Sequence, residues 1–202
     1  MNRLMFATAF AVVVLLGACA LPSGPQKAPA AYDFGPGPAV GASPSVPVRP
    51  TLAFNEVQAP AWLDGTHIFY RLAYSDVQQL RPYAQNRWTM PPAQLFAQRV
   101  RMRLARSMDV VAIGDTTAGA TLKLELEDFS QFFETVETSR AQVQLRATVI
   151  QNGKLLGQRS FAVTRPAASA SAAGGVRALT EAADAAIEEL ALWLPNLLRG
   201  AT

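Results

Sequence analysis

The chain of 202 residues carries a net charge of +3, half of its residues are hydrophobic, and it has one cysteine and one histidine. Roughly 150 residues remain once the ends are set aside, enough for one domain with a real core. Near-balanced charge without a run of like charges excludes a nucleic-acid binder, and a lone cysteine excludes an intramolecular disulfide.

The N-terminus is the most informative stretch. Met1-Asn2-Arg3 is a short positive region, and Leu4 through Leu16 is apolar except for Thr8. A helix over that run spans only about 20 Å, short of the ~30 Å hydrocarbon core, so it fits a signal segment better than a transmembrane helix. Leu16-Gly17-Ala18-Cys19 follows. Leu at −3, small residues at −2 and −1 and Cys at +1 resemble the bacterial lipobox. Cleavage is expected between Ala18 and Cys19, with diacylglycerol and an N-acyl chain joined to Cys19. The competing reading is an ordinary signal peptide with a chance cysteine; lipidation would instead remove an otherwise unpaired exported thiol. Ala20 stands where enterobacterial lipoproteins retained in the inner membrane carry Asp. By that resemblance the protein belongs on the outer membrane, facing the periplasm.

Residues 1–18 thus read as signal peptide, 19–48 as a tether and 49–200 as a single folded domain. Residues 20–50 hold eight of the fourteen prolines, too few large apolar side chains to offset ordering entropy. Fully extended, about 30 residues at ~3.1 Å each reach about 90 Å. Tyr32-Asp33-Phe34-Gly35 interrupts this tether, either to dock on the body or a partner or to form a packed edge strand.

Thr51–Val57 and His67–Tyr74 read as strands, rich in β-branched and aromatic residues. Pro91-Pro92 opens a helix over about 92–107, with Leu95, Phe96, Val100 and Leu104 on one stripe and Arg99, Arg101, Arg103 and Arg106 largely off it. Val110–Ile113 is a short strand. A β-meander follows: Leu122, Leu124 and Leu126 alternate with charged residues, as do Val143, Leu145, Ala147 and Val149 with polar ones. Asn152-Gly153 is a strong hairpin signal. Leu155–Thr164 returns with Phe161 and Val163 inward, leaving Glu125, Glu127, Arg140, Arg146 and Arg159 on a wet outer face. A helix over about 174–194 puts Leu179, Ala183, Ala186, Ile187, Leu190, Trp193 and Leu194 on one face, and Pro195 bends or ends it. The fold class is α/β of the α+β type: a largely antiparallel sheet with a meander, covered by two helices.

No catalytic constellation emerges. His67 is the only histidine, and HExxH, CxxC, GxSxG and P-loop patterns are absent from the sequence. No metal site and no cofactor is expected beyond the covalent lipid on Cys19. Binding or assembly is the remaining role. Arg87-Trp88 ahead of Pro91-Pro92 offers residue types favoured at protein interfaces, or else Trp88 caps the core where strand meets helix.

Tyr70-Arg71-Leu72, Tyr83, Arg87-Trp88, Pro91-Pro92, an amphipathic helix and a C-terminal helix ending Ala191-Leu192-Trp193-Leu194, together with the lipobox, resemble the ABC-type transport auxiliary lipoproteins of the PqiC-like family. Thr89-Met90 departs from the acidic or small residues common there. The resemblance implies a non-enzymatic accessory component of a system moving lipids between the inner and outer membranes. It further implies an MCE-domain partner and a homo-oligomer, such as a ring. Tyr83, Arg87 and Trp88 carry over as motif residues that are candidates for partner binding. The alternative is a structural lipoprotein of another envelope assembly, a secretion or cell-wall-linked complex.

Overall fold

The computed structural model describes residues 28–37 and 49–199. The expected signal peptide and the Ala18–Cys19 junction lie outside the described residues. Among the described residues nine strands form one sheet: β1 Ala30–Tyr32, β2 Thr51–Ala53, β3 Val57–Gln58, β4 His67–Leu72, β5 Asp76–Trp88, β6 Asp109–Val111, β7 Ala120–Phe133, β8 Ser139–Gln151 and β9 Lys154–Pro166. Helix α1 spans Pro92–Leu104 and α2 spans Ala172–Arg199. This is the α+β architecture that the sequence pattern predicts.

The spine is β7. One edge pairs antiparallel with β8 along its whole length. The other takes β2, β3 and β4 in turn, all parallel. The meander β7–β8–β9 closes through Asn152 at φ 51° and Gly153 at φ 72°, the left-handed pair that a tight hairpin requires. Leu122, Leu124 and Leu126 on β7 and Val143, Leu145, Ala147 and Val149 on β8 are fully buried beneath the helices. Burying a side chain of this size stabilises by about 1.5–3 kcal/mol, so this period-two stripe fixes the register.

Helix α2 lies on β7, β8 and β9. Ala178, Ala182, Ala183 and Ala186 are buried on that face, and their small size lets helix and sheet approach closely. The helix starts earlier than expected because Ser171 caps it: its Oγ accepts from the Gly174 N–H at 3.1 Å. It also runs through Pro195 to Arg199, where the sequence suggested a bend or stop. Proline removes one hydrogen bond, but Leu194 is buried, and Leu197 packs so closely on β9 that a Cβ at Gly157 would meet it at 2.8 Å. Helix α1 stops at Leu104, short of residue 107. The chain then tightens into a turn that buries Met108, whose N–H bonds the Leu104 carbonyl.

Two arginines lie where the sequence pattern did not place them, for identifiable reasons. Arg159 pairs with the buried Ala147, which puts it on the helix side of the sheet, where its guanidinium lies 5.0 Å from the Phe161 ring centroid. Side chains alternate strictly, so Arg159 shares a face with Phe161 and Val163. Arg99 belongs to the α1 stripe, at i+4 from Leu95 and i+3 from Phe96, and only 4% of it is exposed.

Candidate functional site

The motif residues Tyr83, Arg87 and Trp88 sit on β5, and the structure sends them to three different environments. Trp88 is 1% exposed. The surface-anchor reading therefore gives way to the core-cap reading. Its ring packs against Phe34 at 5.7 Å and Phe129 at 5.4 Å, and Phe96 closes the cluster. Edge-to-face and tilted contacts of this kind add about 0.5–1.5 kcal/mol per pair beyond burial.

Phe34 belongs to Tyr32-Asp33-Phe34-Gly35, the interruption of the tether, and the structure follows its packed edge-strand reading. Ala30–Tyr32 adds to β5 as a parallel edge strand, registering Ala30 with Asn86 and Tyr32 with Trp88. Tyr32 Oη donates to Asn86 Oδ1 at 3.2 Å, and Phe34 then drops into the core. Residues 30–34, expected to lie in the tether, thus pack against the folded body.

Arg99 locks this N-terminal stretch in place. Its Nη2 donates to the carbonyls of Phe34 and Gly35, and its Nε lies 3.2 Å from Asp184 Oδ1 on α2. The Nε–Asp184 contact is an ion pair without hydrogen-bond alignment, since Nε and Nη1 have no hydrogen-bond partner. Gly37 passes so near that a Cβ there would stand 2.6 Å from Arg99 Nη1. One guanidinium therefore joins β1's continuation, α1 and α2. Burial raises the Asp184 carboxyl above its ordinary value, and Arg99 offsets only part of that rise.

Tyr83 is half-buried and leads into a polar network. Its Oη donates to Gln131 Oε1 at 2.9 Å; Gln131 Nε2 donates in turn to Ser139 Oγ at 2.7 Å and to the Ser171 carbonyl at 3.3 Å. Gln131 and Ser139 are buried, and every Gln131 polar atom is satisfied, as a buried amide requires. Burial, with Tyr70 beside it, pushes the Tyr83 phenol well up, so it stays a neutral donor. Arg87 is exposed, and its backbone lies in the ladder between Ala31 on β1 and His67 on β4. Of the three motif residues, Arg87 alone is presented to solvent.

The sheet face away from the helices is wet and paired. Arg146 meets Glu127, and Arg140 meets Glu134 at 3.0 Å. Asp128 is half-buried beside a register shift in β7, accepting from Ser130 Oγ at 2.7 Å and Gln142 Nε2 at 3.1 Å. A groove of about 560 Å³ between α1 and the β3 region mixes polar and apolar walls, including Asn55, Glu56, Gln94 and Arg101. Among the described residues no group of three or more His, Cys, Asp or Glu side chains is placed to hold a metal ion. No described helix is long and apolar enough to cross a membrane.

Fold and site together define a mixed α+β scaffold whose sequence motif closes the core around its own N-terminal strand. The chain belongs to the ABC-type transport auxiliary lipoprotein component family, whose model matches residues 32–191. It is similar to a crystal structure from Xanthomonas campestris at 19% identity and TM-score 0.65, with 85% of this chain and 98% of that one covered. A hypothetical protein from Chlamydia trachomatis shares 9% identity at TM-score 0.52, with 75% and 98% covered. Identities this low speak to the fold alone. No curated protein matches the sequence.

Proposed function

We propose that this protein is a lipid-anchored, non-enzymatic accessory component of an ABC/MCE-type system that moves lipids between the inner and outer membranes. Membership of the auxiliary lipoprotein family carries the reading. The Leu16–Cys19 lipobox supports the anchor. In this reading Cys19 bears diacylglycerol and an N-acyl chain, more than one chain being needed for firm attachment. The domain then stands on the periplasmic face of the outer membrane and meets an MCE-domain partner, as a homo-oligomer.

The geometry is compatible with a docking role. Tyr83 and Trp88 act by holding the core and its N-terminal strand together, leaving Arg87 as the motif side chain available to a partner. The test is purification of the tagged, full-length lipoprotein in mild detergent. An MCE-domain protein should be recovered with it. Recovery of a secretion or cell-wall component instead would overturn the assignment in favour of another envelope assembly.

A further inference from the structure

Exposed apolar side chains occur at both ends of the sheet. Tyr74, Val77 and Val136 stand at the hairpin tips between β4 and β5 and between β7 and β8. Leu155 beside the β8–β9 turn, with Leu192 on α2, lies toward the opposite end. Exposure alone does not choose between these ends; the polarity of β1 does. β4 and β7 run parallel and bond at Leu72–Phe133, with the Ala73 N–H on the Phe133 carbonyl, so both tips share one end. β1 is parallel to β5, which is antiparallel to β4. Followed backwards from Tyr32 to Ala30, the chain therefore travels toward those tips. Ala28 continues the path, lying with Ala30 beside Gln85 and Asn86.

Length agrees with direction. The eleven positions from Cys19 to Ala30 reach at most about 40 Å when extended. The distance to the tips is set by β4, whose six residues cover about 20 Å. The longest reach of those positions exceeds the distance to the tips. A path to the opposite end would have to turn back between Cys19 and Ala30, and the sequence disfavours this. Pro22, Pro25 and Pro29 each bias the preceding residue toward extended backbone.

We infer that the β4–β5 and β7–β8 hairpin tips form the membrane-facing end of the domain, with Tyr74, Val77 and Val136 resting on the lipid surface that holds Cys19. The tips are built to keep these side chains outward. Glu134 N–H bonds the Thr138 carbonyl at 3.0 Å, Thr135 and Thr138 hydroxyls meet at 2.9 Å, and Arg71 Nη1 donates to the carbonyls of Val77 and Gln78. The opposite end, with Leu155 and Leu192, then points into the periplasm. This orientation rests on the Cys19 anchor proposed above.

The experiment uses Val136→Cys and Leu155→Cys, matched positions that are each 66% exposed. A lipidated Cys19 is a thioether, so a thiol-reactive fluorophore marks only the new residue. The full-length lipoprotein is reconstituted in phosphatidylethanolamine–phosphatidylglycerol vesicles carrying headgroup-quencher lipid, and its flotation is measured alongside. The probe at 136 should lose most of its emission while the probe at 155 keeps its own. Flotation with the probe at 136 unquenched, or with the probe at 155 quenched instead, overturns the orientation and leaves the anchor standing. Shielding of position 136 only when an envelope protein is added also overturns it, by making the tips a protein interface. Failure to float overturns the anchor and this inference with it.

Discussion

Arg99 Nε lies 3.2 Å from Asp184 Oδ1, and Nη2 of the same guanidinium donates to the Phe34 carbonyl. The two residues are unequally exposed: the Arg99 side chain at 4% and that of Asp184 at 32%. Their removal should therefore be unequal. Asp184→Ala strands a buried cation and is expected to destabilise by about 3 kcal/mol. Arg99→Met leaves a carboxylate that water can reach, plus the Phe34 and Gly35 carbonyls, and is expected to lose about 1–2 kcal/mol. Urea unfolding of both variants checks the order, which equal losses would contradict.

Trp88→Ala should lower thermal stability strongly. Emptying a site that is 1% exposed and touches Phe34 and Phe129 costs about 3–5 kcal/mol for a large aromatic. Trp88→Phe should lose less. Thermal melts followed by near-ultraviolet circular dichroism read the difference.

The Gln131 network gives a paired prediction. Tyr83→Phe leaves Gln131 Oε1 without its donor in a buried place and should destabilise by about 1–3 kcal/mol. Gly175→Ala should do more harm, because the new Cβ would fall 1.9 Å from that same oxygen and force Gln131 out of register with Ser139 and Ser171. Stability equal to the parent in Gly175→Ala would show that α2 does not sit as tightly on β7 as described.

Burial raises the Asp128 carboxyl, and the hydrogen bond from Ser130, the Arg71 charge, the Phe129 N–H and Gln142 pull it back only in part. The folded chain thus holds this proton more tightly than the unfolded one. Stability from the site is complete below the unfolded carboxylate range and is lost as pH rises through the raised folded value. Asp128→Asn should melt close to the parent at acidic pH and above it at neutral pH. A difference independent of pH would assign the effect to hydrogen bonding instead.

What the sequence revealed follows from how each element is held. Strict alternation at Leu122–Leu126 and Val143–Val149, the Asn152-Gly153 turn and the apolar stripe of α2 are local signals, and the structure follows them. β1 has no periodic signal, and its two aromatics, Tyr32 and Phe34, left an edge strand as one of two readings. Ala30–Tyr32 pairs only because Phe34, two residues on, reaches Trp88 and Phe96, a contact across more than fifty positions. β5 is obscured by Pro82, tolerated where β1 leaves the strand's outer edge uncovered. The continuation of α2 past Pro195 depends on Leu197 meeting Gly157 on another strand. Arg99 was legible by spacing, since it falls between Phe96 and Val100 on the buried stripe, but its charge argued for solvent. Its partner Asp184 lies 85 positions away on a different helix.

The most direct test of the account is metabolic labelling with palmitate. The wild-type chain should incorporate the label and fractionate with outer-membrane material, whereas Cys19→Ala should take up none and lose membrane association. Equal labelling of the two, or a wild-type chain released without lipid, would contradict it.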